Sequence, residues 1–118
     1  MREKDGVRFY NSSIDSSPSR TAAALSALPK APIIIQVYPR LLNEEVGYYL
    51  CPAIVAAARK ATVPVCFHLD HGPSELEVQK ALRWGATGIM YDGSVHPFEE
   101  NVASTKHIKD ICESVDVF

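Results

Sequence analysis

Apolar positions along this chain follow two alternating rhythms: short unbroken apolar runs, and longer stretches with helical spacing. Pro32-Ile-Ile-Ile-Gln-Val-Tyr38 is mostly apolar and β-branched, which predicts a strand covered on both faces. Thr62–Leu69 is the next such run and Gly88–Tyr91 a shorter one, while Val7–Tyr10 is a weaker first strand. Between them, Ser17-Pro18 supplies a cap and first helical position for an Ala/Leu helix that Pro29 stops. A loop over Pro39–Gly47 leads to a helix ending near Lys60, with Pro52 expected in its first turn or at its start. Ser74-Glu-Leu-Glu77 has the form of a capping box for a helix that runs to Trp84 and stops at Gly85. Pro97 opens a last helix whose Phe98, Val102, Ile108, Ile111 and Val115 keep roughly helical spacing, with Glu99 and Glu100 at its positive end. Glu113–Phe118 reads as the beginning of a further strand.

Strand centres near Ile34, Phe67 and Met90 lie about 23 to 33 residues apart, each separated by one helix. That is the rhythm of βα units, which predicts an α/β fold with a parallel sheet and helices outside it. No hairpin signal is counted, and no glycine-rich nucleotide loop follows any strand, which ranks a doubly wound nucleotide fold lower. In βα architectures the working residues stand at the C-terminal ends of strands.

Two strands of this chain end in that way. Val65-Cys-Phe-His-Leu-Asp-His-Gly72 passes from an apolar run into His68, Asp70 and His71, and Gly88-Ile-Met-Tyr-Asp-Gly-Ser94 delivers Asp92, with His96 close behind. Strand alternation puts His68 and Asp70 on one face, with His71 emerging beside them. A metal on His71 with Asp70 adjacent would bring a Lewis acid and a proton-transfer group to one substrate, chemistry suited to a carbon next to a carbonyl. The plainer reading is equally open: Asp70 and His71 bond the turn made by Gly72-Pro73, and Asp92 caps the next turn with Gly93-Ser94. His68 reads as a satisfied core or supporting histidine, His96 as a residue near a helix cap, and His107 as solvated on mid-helix.

Composition narrows the classes. The chain has 118 residues, 47% hydrophobic, and a net charge of −2 with scattered basic residues, so no nucleic-acid footprint is present. Apolar runs fall far short of a membrane span, and no apolar leader follows the polar N-terminus. Cys51, Cys66 and Cys112 are odd in number and widely spaced, which predicts reduced, mostly buried thiols in a cytoplasmic protein.

Pro64-Val-Cys-Phe-His-Leu-Asp-His-Gly72, Ala86-Thr-Gly-Ile-Met-Tyr-Asp-Gly-Ser94 and Pro97-Phe-Glu-Glu-Asn-Val-Ala103, in that order, closely resemble class II ketose-bisphosphate aldolases, the zinc-dependent fructose- and tagatose-bisphosphate enzymes. The resemblance covers about Ala31 to Ile111, with residues 1–30 matching poorly. It implies one incomplete domain holding about the first four βα units of a (β/α)8 barrel. It implies Zn2+ as cofactor and a glycolytic phosphorylated ketose as substrate, cleaved reversibly to dihydroxyacetone phosphate and glyceraldehyde 3-phosphate. Asp70 matches the acid/base at the C4 hydroxyl and His71 the first zinc ligand. Asp92 matches an acid near the metal that is a ligand in an alternative position; His68 and Ser94 are taken as supporting residues. A Schiff-base mechanism needs a lysine at a strand end; Lys4 is assigned to an N-terminal tail and Lys30, Lys60, Lys80, Lys106 and Lys109 to helices or their ends.

Two departures from the family accompany the match. Tyr38 stands where the family usually has a small hydroxyl residue that shapes the substrate pocket. A (β/α)8 barrel takes roughly 250 residues, so the family's two other zinc histidines and its phosphate-binding segments are expected beyond Phe118, and the 118-residue chain alone is expected to be inactive. The alternative is a non-catalytic relative that acts through protein interaction, as a homo-oligomer or by pairing through open barrel edges. A phosphoacceptor module is a third class, but its acidic pair and late lysine are not visible.

Overall fold

The computed structural model of the chain describes residues 2–4, 7–9 and 32–117. The expected helix between Ser17 and Leu28 lies outside the described residues, as does Tyr10. Among the described residues nine elements follow in order: β1 (Arg2–Lys4), β2 (Val7–Phe9), β3 (Ile33–Val37), α1 (Pro39–Asn43), α2 (Val46–Lys60), β4 (Val65–Gly72), α3 (Glu75–Arg83), β5 (Gly88–Tyr91) and α4 (Phe98–Glu113).

β3, β4 and β5 form a parallel sheet in that order, with Ile35 opposite Phe67 and Leu69 opposite Ile89. The α/β class and the three βα steps from Ile33 onward are as the pattern predicts. The first strand is not part of that sheet: Val7–Phe9 pairs antiparallel with Arg2–Lys4, Lys4 facing Val7. This antiparallel pair departs from the expectation of no hairpin, and Lys4 stands in β1 rather than in a tail.

One face of the parallel sheet carries the core. Val37, Phe67 and Leu69 are buried against Leu50, Cys51 and Ile54 of α2, Val78 and Ala81 of α3, and Ile108 and Cys112 of α4. Each Val, Leu, Ile or Phe among them contributes about 1.5–3 kcal/mol when fully removed from water. The opposite face is open among the described residues. Ile34 is 66% exposed, and Met90 and Gln36 share its exposure. Among the described residues β3 is therefore covered on one face, not both, because every described helix that packs on the sheet packs on the same side.

Local departures have local causes. Pro39–Asn43 is a short helix rather than loop: Pro39 suits a first helical position, Leu42 is buried, and Arg40 pairs with Glu44 at 3.1 Å. Pro52 lies inside α2, not at its start, and sits on the solvent face, so its missing amide strands no buried partner of its own. β4 begins at Val65 and runs to Gly72, three residues beyond the expected end, so Asp70 and His71 lie within the strand. Ser74 is the N-cap of α3, but its hydroxyl bonds the Glu77 carboxylate instead of a backbone amide, so the reciprocal capping box does not form. At the far end Gly85 takes φ +90, its N–H bonds Leu82 O at 3.0 Å and Ala86 N–H bonds Ala81 O at 2.9 Å. This closes the helix as the glycine predicts.

α4 buries only its later turns. Ile108 and Cys112 are in the core, whereas Phe98 is 76% exposed and Val102 and Val115 are exposed as well. Residues 114–117 form no strand: Asp116 takes φ 56, Val117 N–H returns to Cys112 O at 3.0 Å, and Val117 packs on the core. No helix among the described residues is long and apolar enough to cross a membrane.

The one-sided core predicts an asymmetric response to substitution. Leu50→Ala is expected to lower unfolding free energy by about 2–5 kcal/mol, and Ile34→Ala on the open face by no more than about 0.5 kcal/mol, both read by urea denaturation of the purified chain. Equal losses would mean that something covers the face bearing Ile34.

Candidate active site

The C-terminal end of β4 is irregular. Leu69 pairs with Ile89 and Gly72 with Tyr91, so three steps along β4 face two along β5. The extra residue makes a bulge, and His71 takes φ 55, a left-handed conformation uncommon outside glycine, asparagine and aspartate. Simple alternation would send Asp70 and His71 to opposite faces. The bulge cancels that alternation: His71 Nε2 lies 4.0 Å from Asp70 Oδ1. Pairing resumes beyond it, with Asp92 N–H donating to Gly72 O at 2.9 Å. Asp92 thus arrives beside His71.

Four of the five predicted residues come together here. His71 Nδ1 stands 2.8 Å from Asp92 Oδ2. The other oxygen of Asp92 accepts from Ser94 N–H at 3.1 Å and from Ser94 Oγ at 2.6 Å. Asp70 Oδ1 accepts from Gln36 Nε2 at 3.2 Å. Side-chain exposure falls from 44% at His71 through 28% at Asp92 to 17% at Asp70, so the site is open at the imidazole and closest-held at Asp70. Tyr38 walls one flank, its ring centroid 5.9 Å from that of His71 and tilted 33°.

His68 is different. It stands on the open sheet face opposite Gln36, and its buried Nδ1 has no hydrogen-bond partner among the described residues. The satisfied core histidine that its position suggested is therefore not what is found; burial lowers its pKa, partly offset by Asp70. His96 faces Glu100 at 3.8 Å and His107 pairs with Glu75 at 3.1 Å, both away from the site. Gln36 and Tyr38 were not named as partners of Asp70 and His71 from sequence. A lone amide inside Ile33–Val37 was the available signal for Gln36.

Electrostatics follow the contacts. Two Ser94 donors, then His71, hold the Asp92 carboxyl down to about 2. The hydrogen bond that His71 donates to Asp92, helped by the charges of Asp70 and Asp92, holds the His71 pKa above its ordinary 6.5. Burial pushes the Cys51 thiol up to about 11, and Cys51, Cys66 and Cys112 are unpaired, with Cys51 and Cys112 buried.

As a metal-binding set these residues fit in part. An ionised Asp92 can only accept, so neutral His71 must carry its proton on Nδ1, leaving the Nε2 lone pair free on the side of Asp70. Metal-ligating imidazoles are oriented by carboxylates in this way. Asp92 has both oxygens engaged, so it is placed as the partner of His71, and a ligand role would compete with those bonds. Among the described residues no three His, Cys, Asp or Glu side chains gather into a group able to hold a metal ion.

The comparisons with known proteins agree with one another. A family model described as fructose-bisphosphate aldolase class-II matches residues 13–118. Over 95 residues the chain is 39% identical to the 6-phospho-5-dehydro-2-deoxy-D-gluconate aldolase of Bacillus velezensis, covering 76% of this chain and 33% of that protein. It is 41% identical over 88 residues to the fructose-bisphosphate aldolase of Thermus caldophilus, covering 75% and 28%. The X-ray crystal structure of the YdjI aldolase from Escherichia coli K12 superposes with a TM-score of 0.71 at 33% identity, over 85% of this chain and 37% of that one. The chain thus spans about a third of the length of the relatives it matches.

The His71–Asp92 contact predicts a signed pH response. His71 should titrate above 6.5 by NMR in the metal-free chain, and Asp92→Asn should return its midpoint toward the ordinary value. Because the folded His71 value is raised, its contribution to stability is complete below 6.5 and is lost as pH rises through the folded midpoint. The depressed Asp92 value contributes above 3.8 and is lost as pH falls toward about 2.

Proposed function

The chain belongs to the class II fructose-bisphosphate aldolase family, and on that premise we propose that it is the part of a zinc-dependent ketose-bisphosphate aldolase, with a (β/α)8-barrel fold, that carries the acid/base Asp70 and the first zinc ligand His71. The observation that carries this reading is the pairing of Asp70 with an imidazole whose Nδ1 is already committed to Asp92 and whose Nε2 stays free. Zn2+ held by His71, with its remaining ligands supplied from outside the described residues, would polarise the ketose carbonyl.

The chain's own residues then account for proton transfer and orientation. Asp70 takes the proton of the C4 hydroxyl as the bond between C3 and C4 breaks and the aldehyde forms; the electron pair stays on the C3 fragment. In the condensing direction Asp70 returns that proton to the new C4 oxygen. Gln36 holds one Asp70 oxygen and so aims the other. Ser94 and Asp92 hold the imidazole of His71, and Tyr38 closes the flank on the β3 side, where it limits which phosphorylated ketoses can approach. The substrate is a fructose or tagatose bisphosphate. Three unpaired cysteines, two of them buried, support a cytoplasmic setting.

A second reading keeps the family and drops the catalysis: a chain that works by pairing with a partner. It is favoured by the uncovered apolar side chains, Ile34 on the sheet and Phe98 and Val102 on α4.

The native protein purified from its source separates the two. A mass of ~25–35 kDa, as a full barrel implies, with chelator-sensitive cleavage of a ketose bisphosphate is the expected result. Asp70→Ala in that protein should lower kcat by about 10²–10⁴-fold with zinc content unchanged. Full activity in the variant would remove Asp70 from the mechanism, and a native mass near 13.0 kDa without cleavage would favour the partner-dependent reading.

A further inference from the structure

We propose that Asn101 is a positioning residue for this site, clamping the Asp92-Gly93-Ser94 turn from the first turn of α4 and so keeping Asp92 on His71. Gly93 is buried although Ser94 beside it is exposed. A Cβ built on Gly93 would lie 2.3 Å from Asn101 Oδ1 and 2.9 Å from Tyr91 Cε1. The amide of Asn101 and the ring of Tyr91 therefore press on this backbone directly, and no residue larger than glycine fits between them without a shift.

The clamp is itself held. Thr105, one turn along α4, donates its hydroxyl to the same Asn101 Oδ1 at 3.1 Å, and Asn101 N–H bonds Pro97 O at 2.9 Å. What the turn holds is the carboxylate of Asp92. Ser94 can offer both its N–H and its hydroxyl to Asp92 Oδ1 only while Gly93 keeps the tight path between them. With Oδ1 fixed, Oδ2 is presented to His71 Nδ1. Among the described residues no hydrogen bond joins Asn101 to Asp70 or His71, so its effect passes through the turn. Pro97-Phe-Glu-Glu-Asn101 thus has a local task beyond starting a helix.

This inference deepens the assignment of His71, but its test needs neither zinc nor substrate, so its failure is distinct from failure of the aldolase reading. The readout is the tautomer of His71 in the isotope-labelled chain, followed by its ring ¹³C and ¹⁵N resonances in mildly alkaline solution where imidazoles are neutral. Wild type is expected to show the Nδ1–H form alone. Asn101→Ala, folded by circular dichroism and amide dispersion, is expected to show a mixture of both tautomers. Asn101→Asp keeps the contacting oxygen and the acceptor for Thr105, and is expected to restore the single form. A folded Asn101→Ala chain with the wild-type tautomer, or an Asn101→Asp chain as mixed as the alanine variant, would overturn the proposal. If Asn101→Ala does not fold, Thr105→Val on the exposed side of α4 replaces it: partial mixing supports the clamp and an unchanged signal refutes it.

Discussion

Because β4 spends three residues where β5 spends two, the strand end that should have split Asp70 from His71 instead keeps them together, with His71 set on Asp92. Holding His71 in a left-handed conformation costs a non-glycine residue of order 1 kcal/mol or more. The structure accepts it because the neighbours over-determine the position. Gly72 re-enters the ladder, its carbonyl takes the Asp92 amide, and the ring of His71 is gripped by a carboxylate. A regular strand with the same residues would have no such site.

From that bulge the electrostatics follow. Asp92 is the acceptor for three donors, two from Ser94 and one from His71, and its ionisation is fixed by them rather than by burial. Its charge in turn assigns the imidazole proton to Nδ1. Asp70 lies on the other side of the ring, more enclosed, with one oxygen on Gln36. One carboxylate is saturated and orients; the other keeps acceptor capacity beside a free nitrogen. This division of labour suits the proton transfer proposed for Asp70.

The core explains why the site stands where it does. Helices cover one face of the sheet, and buried Phe67 and Leu69 anchor β4 from below while His68 and Asp70 rise on the open face. In a closed barrel that face would be the interior, lined here by Ile34, Met90 and the half-buried Cys66 and His68.

Local chemistry in the sequence determined the βα succession, the strand positions of Ile33–Val37 and Gly88–Tyr91, the glycine stop at Gly85 and the identities of Asp70, His71 and Asp92 as residues delivered to strand ends. Each rests on periodicity or on one residue's backbone preference, which act within a few positions. Tertiary structure decided the rest. Strand alternation could not foresee a bulge whose register is set by the neighbouring strand, nor that Ser94 and His71 would occupy both oxygens of Asp92. The pairing of Val7–Phe9 with Arg2–Lys4, the one-sided covering of β3 and the tolerance of Pro52 on an exposed helix face likewise depend on what lies alongside. Hydrophobic character says that a residue can be buried; only packing partners say whether it is.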